Sequence, residues 1–471
     1  MSVTTFPPSV QSRVVTDEDV KRTYAADAGP APREPSRDVP SDYTVVRARD
    51  VADVVAVLEH AQATGTPVVP QGARTSRVGG ARATEGCIVL NVEALDAIET
   101  VDPVEGIAVV GPGVVNADLK TAAAAAGLFY GPDPASTGTC TIGGNVATNA
   151  GGLCCLKYGV TADWVTALDV VLPGGEVMRT GHRTAKGVTG LDLTGLLVGS
   201  EGTLGVVTRV VTRLLPAPDP ALTALATFGS LDDAVRAVVT LRLDRHRPSL
   251  LEILDRASLE AVQAFGDYGF PADADAVLLV QSDRPGHAAE DVARYGELMT
   301  GAGALEVAVA EDRQEADLLL QGRRVLSTAI EALGSRLAED VCVPVGRLGD
   351  YVRGAAEVSE RLGVRIPVSG HAGDGNLHPS IVYPPGDDDA RRRAWGAFDE
   401  LMRLGLSLGG TVAGEHGIGS VKRRWFAAEV GPREVQRQRA IKAVFDPSGI
   451  MNPEVVFGGG RWATRPGSTS T

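Results

Sequence analysis

Three of the seven histidines of this 471-residue chain lie in two Gly-rich runs near its C-terminal end. The first is Gly370-His371-Ala372-Gly373-Asp374-Gly375-Asn376-Leu377-His378. The second is Gly409-Gly410-Thr411-Val412-Ala413-Gly414-Glu415-His416-Gly417-Ile418-Gly419. Imidazole binds a metal or moves a proton near neutral pH more readily than any other side chain. Two imidazoles and a carboxylate make a His₂Glu set suited to a divalent cation with a position open for substrate. Zinc fits on ligand grounds, and manganese or iron is compatible with the same donors. Glu415 and His416 are neighbours and would face opposite ways on a strand, but Gly414, Gly417 and Gly419 permit a turn that aims both at one place. His416 is then free to act as a base.

Such residues need a scaffold, and the chain supplies several further Gly-rich loops. Tyr43 to Arg47 reads as a strand and Asp50 as an N-cap. Val51, Val54, Val55, Leu58 and Ala61 form the apolar face of a helix ending at Gly65, and Thr66 to Val69 is a short strand. The loop Pro70 to Gly80 follows, before the strand Cys87 to Asn91. A second helix, from N-cap Asn116 to Gly127, leads into the rigid turn Gly131-Pro132-Asp133-Pro134. From Ser136 to Gly152 nearly every residue is small or hydrogen-bonding, so the backbone can approach a ligand closely and offer N–H donors. Gly199 to Gly205 is a third such run, ahead of the alternating strand Val206 to Leu215.

Pro216-Ala217-Pro218 marks a domain boundary. Beyond it, strands such as Ala276 to Gln281 alternate with helices, one from about Glu315 to Leu333, and Val364 to Tyr383 reads as strand, Gly-rich turn, strand. The expected organisation is a lead-in over 1–40, a ligand-binding domain over 41–217, an α+β domain over 218–457 and a disordered tail over 458–471. Residues 28–42, rich in proline and charge, read as extended.

Composition narrows the partners. With 59 acidic against 45 basic residues and a net charge of −14, and no long Lys/Arg run, nucleic acid is not expected to bind. Five cysteines without a C-x-x-C pair argue against a disulfide framework, a zinc knuckle or an iron–sulfur cluster. The expectation is a cytoplasmic, reducing environment. Met1 to Gln11 lacks the basic start and apolar run of a signal peptide, and no segment is long and apolar enough to span a bilayer, so any membrane association is expected to be peripheral.

One Gly-Gly pair marks only a tight turn, and none of these loops is the G-x-G-x-x-G fingerprint opening a helix after the first strand. Three in one domain suit a pyrophosphate held by several loops. Pro70 to Gly80, Gly131 to Pro134, Ile142-Gly143-Gly144-Asn145 to Gly152 with Lys157-Tyr158-Gly159, and Gly199 to Gly205 resemble the FAD-binding domain of the vanillyl-alcohol oxidase type (PCMH type). The runs His371 to His378 and Gly414 to Gly419, with Asp446-Pro447-Ser448-Gly449-Ile450-Met451-Asn452-Pro453, resemble its 2-hydroxy-acid dehydrogenase branch. The likeness extends from about Tyr43 to Val456.

That resemblance implies an α+β protein: a two-part FAD-binding domain followed by an FAD-linked oxidase C-terminal domain built on an antiparallel sheet. It implies FAD contacts from Gly72, Ala73, Arg74, Thr75, Ser76 and Gly79; from Pro132, Asp133, Thr137 and Gly138; from Gly143, Gly144, Asn145, Thr148, Asn149 and Gly152; and from Glu201, Gly202, Gly205, Val206 and Asn452. It supports His371, His378 and Glu415 as metal ligands, and it makes Arg323 the cation for a substrate carboxylate. Relatives that attach flavin covalently use a histidine in the first loop, sometimes with a cysteine in the second. No histidine falls between His60 and His182, so FAD is implied to be non-covalent and Cys154-Cys155 to be buried structure.

The first loop departs from the family pattern. Where relatives read Gly-Gly-Gly-Thr or Gly-Ala-Gly-Thr, this chain has Gly72-Ala73-Arg74-Thr75. A positive φ there would strain Arg74, so either the loop differs or Arg74 reaches a phosphate.

The implied activity is oxidation of a small (R)-2-hydroxy acid, D-lactate or glycolate, to the 2-oxo acid, with hydride passing to flavin N5 and His416 as base. The acceptor that reoxidises the flavin would be external: a quinone, an iron–sulfur subunit or an electron-transfer flavoprotein. Alternatives are oxidation of D-2-hydroxyglutarate, a transferase like the flavin-dependent alkyl-glycerone-phosphate synthase, and a non-catalytic FAD-binding subunit.

Overall fold

A computed structural model describes residues 6–30 and 40–458. Residues 1–5 and 31–39 of the expected lead-in and 459–471 of the expected tail lie outside the described residues. The N-terminal part contains two sheets. In the first, Tyr43–Arg47, Cys87–Asn91 and Val68–Gln71 run parallel, with Cys87–Asn91 central. The helix Val51–Thr64 crosses over between its outer strands. Asp50 caps that helix by accepting from Asp53 N–H at 2.9 Å, and left-handed Gly65 ends it. Val54, Leu58 and Ala61 face the core as expected, whereas Val51, in the first turn, is exposed.

The second strand falls at Val68–Gln71, two residues later than the sequence suggests. Val68 N–H donates to Ile450 O and Val68 O accepts from Asn452 N–H, so the end of the chain returns to fix its position. A five-stranded antiparallel sheet follows, in the order Ile98–Asp102, Ile107–Val110, Val206–Arg213, Val165–Val171, Val177–Gly181.

The C-terminal part is built on an eight-stranded antiparallel sheet. Its order is Glu306–Val309, Leu222–Phe228, Ala276–Ser282, Leu250–Asp255, Val368–His371, Asn376–Tyr383, Ser335–Ala338, with Val341–Cys342 also paired to Asn376–Tyr383. Alternation along these strands divides two cores. Leu251, Ile253, Leu278, Val280, Val368, Leu377 and Ile381 enter a large core with helices Leu231–Leu243, Ala288–Gly301, Leu348–Leu362 and Asp388–Ser407. Leu250, Leu254, Val277, Leu279 and Val382 face the other way, beneath helices Arg256–Phe265 and Gln321–Ala332.

The single helix expected over Glu315 to Leu333 is two, Arg313–Leu319 and Gln321–Ala332. Leu320 ends one and opens the other. Gly322 then brings the second so close to Phe270 that a Cβ there would lie 2.5 Å from the ring.

Candidate active site

Register places the chemistry on the second sheet face. Glu252 pairs directly with His371, His371 with Asn376, and Ser369 with His378, so Glu252, His371 and His378 project from one side. The turn between the last two strands brings the imidazoles together, with His378 Nε2 3.3 Å from His371 Nε2.

Glu415 completes the cluster from the second Gly-rich run. Its Oε1 lies 3.7 Å from His371 Nε2, 3.4 Å from His378 Nε2 and 3.5 Å from His416 Nε2. Three imidazoles therefore surround one carboxylate oxygen. Ligand atoms of His371, His378 and Glu415 lie within 4.8 Å of one another, and so do those of Asp340, His378 and His416. The donor set of two or three nitrogens and one oxygen suits a divalent cation, and the spacing of these atoms leaves room for an ion among them. The structure thus gathers the three expected ligands and puts the expected base against the same oxygen.

Two carboxylates absent from the sequence expectations orient this cluster. Glu252 is fully buried, accepts the His371 Nδ1 proton, and receives Arg323 Nε at 2.8 Å on its other oxygen. Fixing Nδ1 turns His371 Nε2 toward Glu415, the carboxylate–histidine arrangement that orients metal ligands. Asp340 Oδ2 accepts both Glu415 N–H (3.0 Å) and His416 N–H (2.8 Å), and bends the turn so that neighbouring side chains converge. Buried Lys422 donates to Asp340 O and Val412 O and lies 3.6 Å from Glu339. The available signal was a charge inside an apolar run: Glu252 in Leu250-Leu251-Glu252-Ile253-Leu254, and Glu339-Asp340 before Val341-Cys342-Val343.

The electrostatics follow from burial and pairing. Burial alone would raise Glu415, but the hydrogen bond and charge of His371 bring its carboxyl down to about 2. Glu252 also falls to about 2 against its burial, through His371 and Arg323. Burial opposes protonation of His371, yet Glu252 and Glu415 hold it well above the ordinary imidazole value. His378 is pushed down to about 4 by burial, and burial lowers His416 too, with Lys422 and Arg77 adding to the effect. The carboxylates therefore favour a proton on His371, and burial favours the unprotonated imidazole at His416. We expect Glu252→Gln to bind a divalent cation about 10–100-fold more weakly, measured by chelator competition on folded, yellow protein. Unchanged affinity would separate Glu252 from the cluster.

The Gly-rich loops pack against this face from the N-terminal part. A Cβ on Gly151 would stand 2.7 Å from Glu415 Oε2, so the second loop touches the cluster. N–H groups from Ala73 to Gly79 find no protein acceptor among the described residues. Ser76 Oγ and Asn145 Nδ2 are buried without a partner, and Gly138 faces open space. Free donors on a close backbone suit the pyrophosphate and ring edges of FAD. Gly72, beside Thr141, brings the first two loops together, Gly143 packs on Pro112, and Gly144 N–H is 3.4 Å from Thr141 Oγ1.

Other expected contacts are committed to protein. Asp133 pairs with Lys120, Thr137 Oγ1 donates to Pro134 O, Thr148 Oγ1 to Gly144 O, and Asn149 Oδ1 accepts from Ala162 N–H. Pro132 O accepts from Asn116, Asp133 O backs Gly152, and Gly202 packs on Pro70. Gly205 packs on Val170, and Val206 is core. Thr75 and Gly79 remain backbone elements of the first loop, with Gly79 against Ser420.

Arg74 resolves the first-loop alternatives. Its φ is +60°, so the left-handed turn is kept, and its guanidinium pairs with Glu93 at 3.1 Å over the Tyr24 ring instead of pointing free toward a phosphate. Cys154 and Cys155 are partly exposed, not buried as expected. Burial of the Cys154 sulfur nonetheless raises its thiol to about 12.

Glu201, in the third Gly-rich run, also bonds across the molecule. Its carboxylate accepts Ile418 N–H (2.8 Å) and Gly419 N–H (2.7 Å), and Asn452 Nδ2 bonds Glu201 O and Gly80 O. Asn452 therefore ties the first and third loops to the C-terminal segment, and Glu201 ties its loop to the His416 turn. Left-handed Gly419 is required there, because a Cβ would lie 2.0 Å from Val78 O.

Burial raises Glu201 to about 7, opposed by those two N–H bonds. A carboxyl raised from 4.5 favours the protonated fold, so this contribution is present below pH 4.5 and disappears as pH rises through about 7. Wild-type stability should decline across that window relative to Glu201→Gln. Glu201→Ala should cost about 2–3 kcal/mol by orphaning two N–H groups. Urea midpoints across pH check both, and parallel curves for wild type and Glu201→Gln would remove the titration.

Residues 217–456 match the family model "FAD linked oxidases, C-terminal domain", and residues 44–181 match "FAD binding domain". The glycolate oxidase subunit GlcD of Bacillus subtilis (strain 168) is 37% identical over 88% of each chain. The chain belongs to the FAD-linked oxidase family. This FAD-linked oxidase, an FAD-dependent oxidoreductase, is also 32% identical to a D-lactate dehydrogenase of Anaerostipes hadrus, over 87% of this chain and 88% of that one. Its fold is shared with p-cresol methylhydroxylase, with TM-score 0.76 at 17% identity over 95% and 94% of the two chains. The two-part FAD-binding fold and the α+β C-terminal domain agree with the sequence reading. Among the described residues, no helix is long and apolar enough to cross a membrane.

Proposed function

We propose that this FAD-linked oxidase converts a small (R)-2-hydroxy acid, or glycolate, to the 2-oxo acid. The reading rests on one observation: the Nε2 atoms of His371, His378 and His416 converge on one carboxylate oxygen, Glu415 Oε1, beside the FAD loops. FAD in those loops supplies a two-electron acceptor for the hydride on the substrate Cα. A divalent cation on His371, His378 and Glu415 supplies a Lewis acid for the hydroxyl and carboxylate oxygens.

The chain's own residues do the rest. His416 takes the hydroxyl proton at Nε2. Arg323, engaged at Nε by Glu252, retains its terminal nitrogens for the substrate carboxylate. Glu252 keeps the proton on His371 Nδ1, and Asp340 holds the backbone of Glu415 and His416. The names of the B. subtilis and A. hadrus relatives, a glycolate oxidase subunit and a D-lactate dehydrogenase, support this substrate class.

Reoxidation requires an acceptor outside this chain: a quinone, an iron–sulfur subunit or an electron-transfer flavoprotein. The name of the B. subtilis relative as a subunit favours a protein partner. Anaerobic mixing with D-lactate, L-lactate and glycolate, before and after chelation, tests the reading. The expected result is flavin bleaching by D-lactate or glycolate that falls on chelation. Absence of bleaching by every hydroxy acid would sink it.

A further inference from the structure

The first loop carries a charge outside both the expected flavin contacts and the histidine cluster. Arg77 is partly buried, and its guanidinium has no hydrogen-bond or ion-pair partner among the described residues. The loop is stitched to the His416 turn immediately beside it, because Val78 O accepts Ser420 N–H at 3.0 Å and Val421 N–H at 3.1 Å.

Arg336 approaches from the sheet. It pairs with Val382, and Ala338 with Ser380, so Arg336 projects from the face that bears His378. Its side chain is 14% exposed and donates to Ser327 Oγ at 2.9 Å and Glu331 Oε1 at 2.7 Å. Glu331, at 58% exposure, is largely in water and offsets that charge weakly. Arg323, Ser327 and Glu331 recur at intervals of four on one helix, so the guanidinium of Arg336 lies along the same wall as that of Arg323.

Burial lowers Arg336, and the charge of Arg77 lowers it further. Two partly buried guanidiniums within electrostatic range of each other repel, and an anion placed between them removes that repulsion. Val382 lies four residues past His378, roughly 13 Å along the strand, a span that an arginine side chain and a short diacid bridge together.

We propose that Arg77 and Arg336 form an anion subsite at the far end of the substrate pocket, so that the preferred substrate is a 2-hydroxydicarboxylate. This inference rests on the hydroxy-acid reading, with the α-carboxylate on Arg323 and the hydroxyl at His416. The second carboxylate meets Arg77 and Arg336 and takes no part in bond making or breaking.

The test compares D-2-hydroxyglutarate and D-malate with D-lactate in anaerobic flavin reduction by holoenzyme, using wild type, Arg77→Leu, Arg77→Lys and Arg336→Gln. The expected result is that Arg77→Leu and Arg336→Gln each lower kcat/KM for a diacid about 10–100-fold, through KM, while D-lactate changes less than about 2-fold in Arg336→Gln and falls less than the diacid in Arg77→Leu. Arg77→Lys should recover part of the loss. Equal losses for diacid and D-lactate, or loss of FAD from Arg77→Leu, would assign Arg77 to the cofactor and overturn the subsite. So would no change for either.

A second readout separates the subsite from the reaction. Glutarate should perturb the wild-type flavin spectrum at lower concentration than butyrate, and that difference should vanish in Arg77→Leu. If no hydroxy acid bleaches the flavin, the proposed reaction fails, and the glutarate titration alone decides the subsite. An Arg77-dependent preference for glutarate upholds it, and equal binding of the two acids overturns it.

Discussion

His416→Ala should leave folded, yellow protein whose flavin is reduced by its hydroxy acid about 10²–10⁴-fold more slowly than wild type, the usual contribution of a positioned general base. The ring makes no interaction that the fold depends on: its Nε2 is 3.5 Å from Glu415 Oε1, and it stacks on His378 with ring centroids 5.4 Å apart. The backbone bond from His416 N–H to Asp340 survives the substitution. Burial keeps this imidazole below its ordinary value, so at neutral pH it can accept a proton and its removal acts on the chemical step. Stopped-flow reduction at saturating substrate measures the effect. A wild-type limiting rate in His416→Ala would remove His416 from the reaction.

Glu415→Ala should abolish tight cation binding and lower turnover by about 10³-fold or more, the equivalent of several kcal/mol of charge stabilisation. Glu415 Oε1 is the one atom approached by all three imidazole Nε2 atoms, so its loss leaves those nitrogens without a common anionic partner. Glu415→Gln keeps the volume and one oxygen but not the charge, and should fall between the two. Metal content by elemental analysis, together with flavin reduction before and after re-addition of zinc or manganese, reads the outcome. Full activity in Glu415→Ala, or in chelated wild type, would show that the histidines work without a cation. Circular dichroism and the flavin spectrum should match wild type, because Glu415 contributes little to either core.

Much of this site is legible in residue types and short spacings. Histidine is scarce in the chain, and three of the seven stand beside glycines in two short runs. Asp50 and Gly65 bound a helix by capping chemistry that needs only neighbouring residues. The alternation of Val364 to Tyr383 marks two strands and their turn. Elements fixed by more distant contacts are less legible. Val68–Gln71 starts where Ile450 and Asn452 bond it, and the helix near residue 320 breaks where Gly322 meets Phe270.

Glu252 and Asp340 stand out as charges in apolar runs, but nothing local names their partners. Glu252 lies 119 residues from His371, and Asp340 lies 75 and 76 residues before the two N–H groups it holds. Glu201 reads as a cofactor contact because it sits in a Gly-rich loop. That its carboxylate holds a turn 217 and 218 residues away is not legible there.

The amino-acid sequence by itself determined the inventory: which side chains can bind a cation or move a proton, which loops can approach FAD, and which strands alternate. Those properties belong to residue types and short spacings. Only the tertiary structure decided which oxygen the three imidazoles share, which carboxylate orients His371, and which turn the carboxylate of Glu201 holds. Those outcomes depend on strand register and on the packing of loops from one end of the chain against turns from the other. A buried charge takes the partner that the fold brings within hydrogen-bonding distance, however far away it lies in sequence.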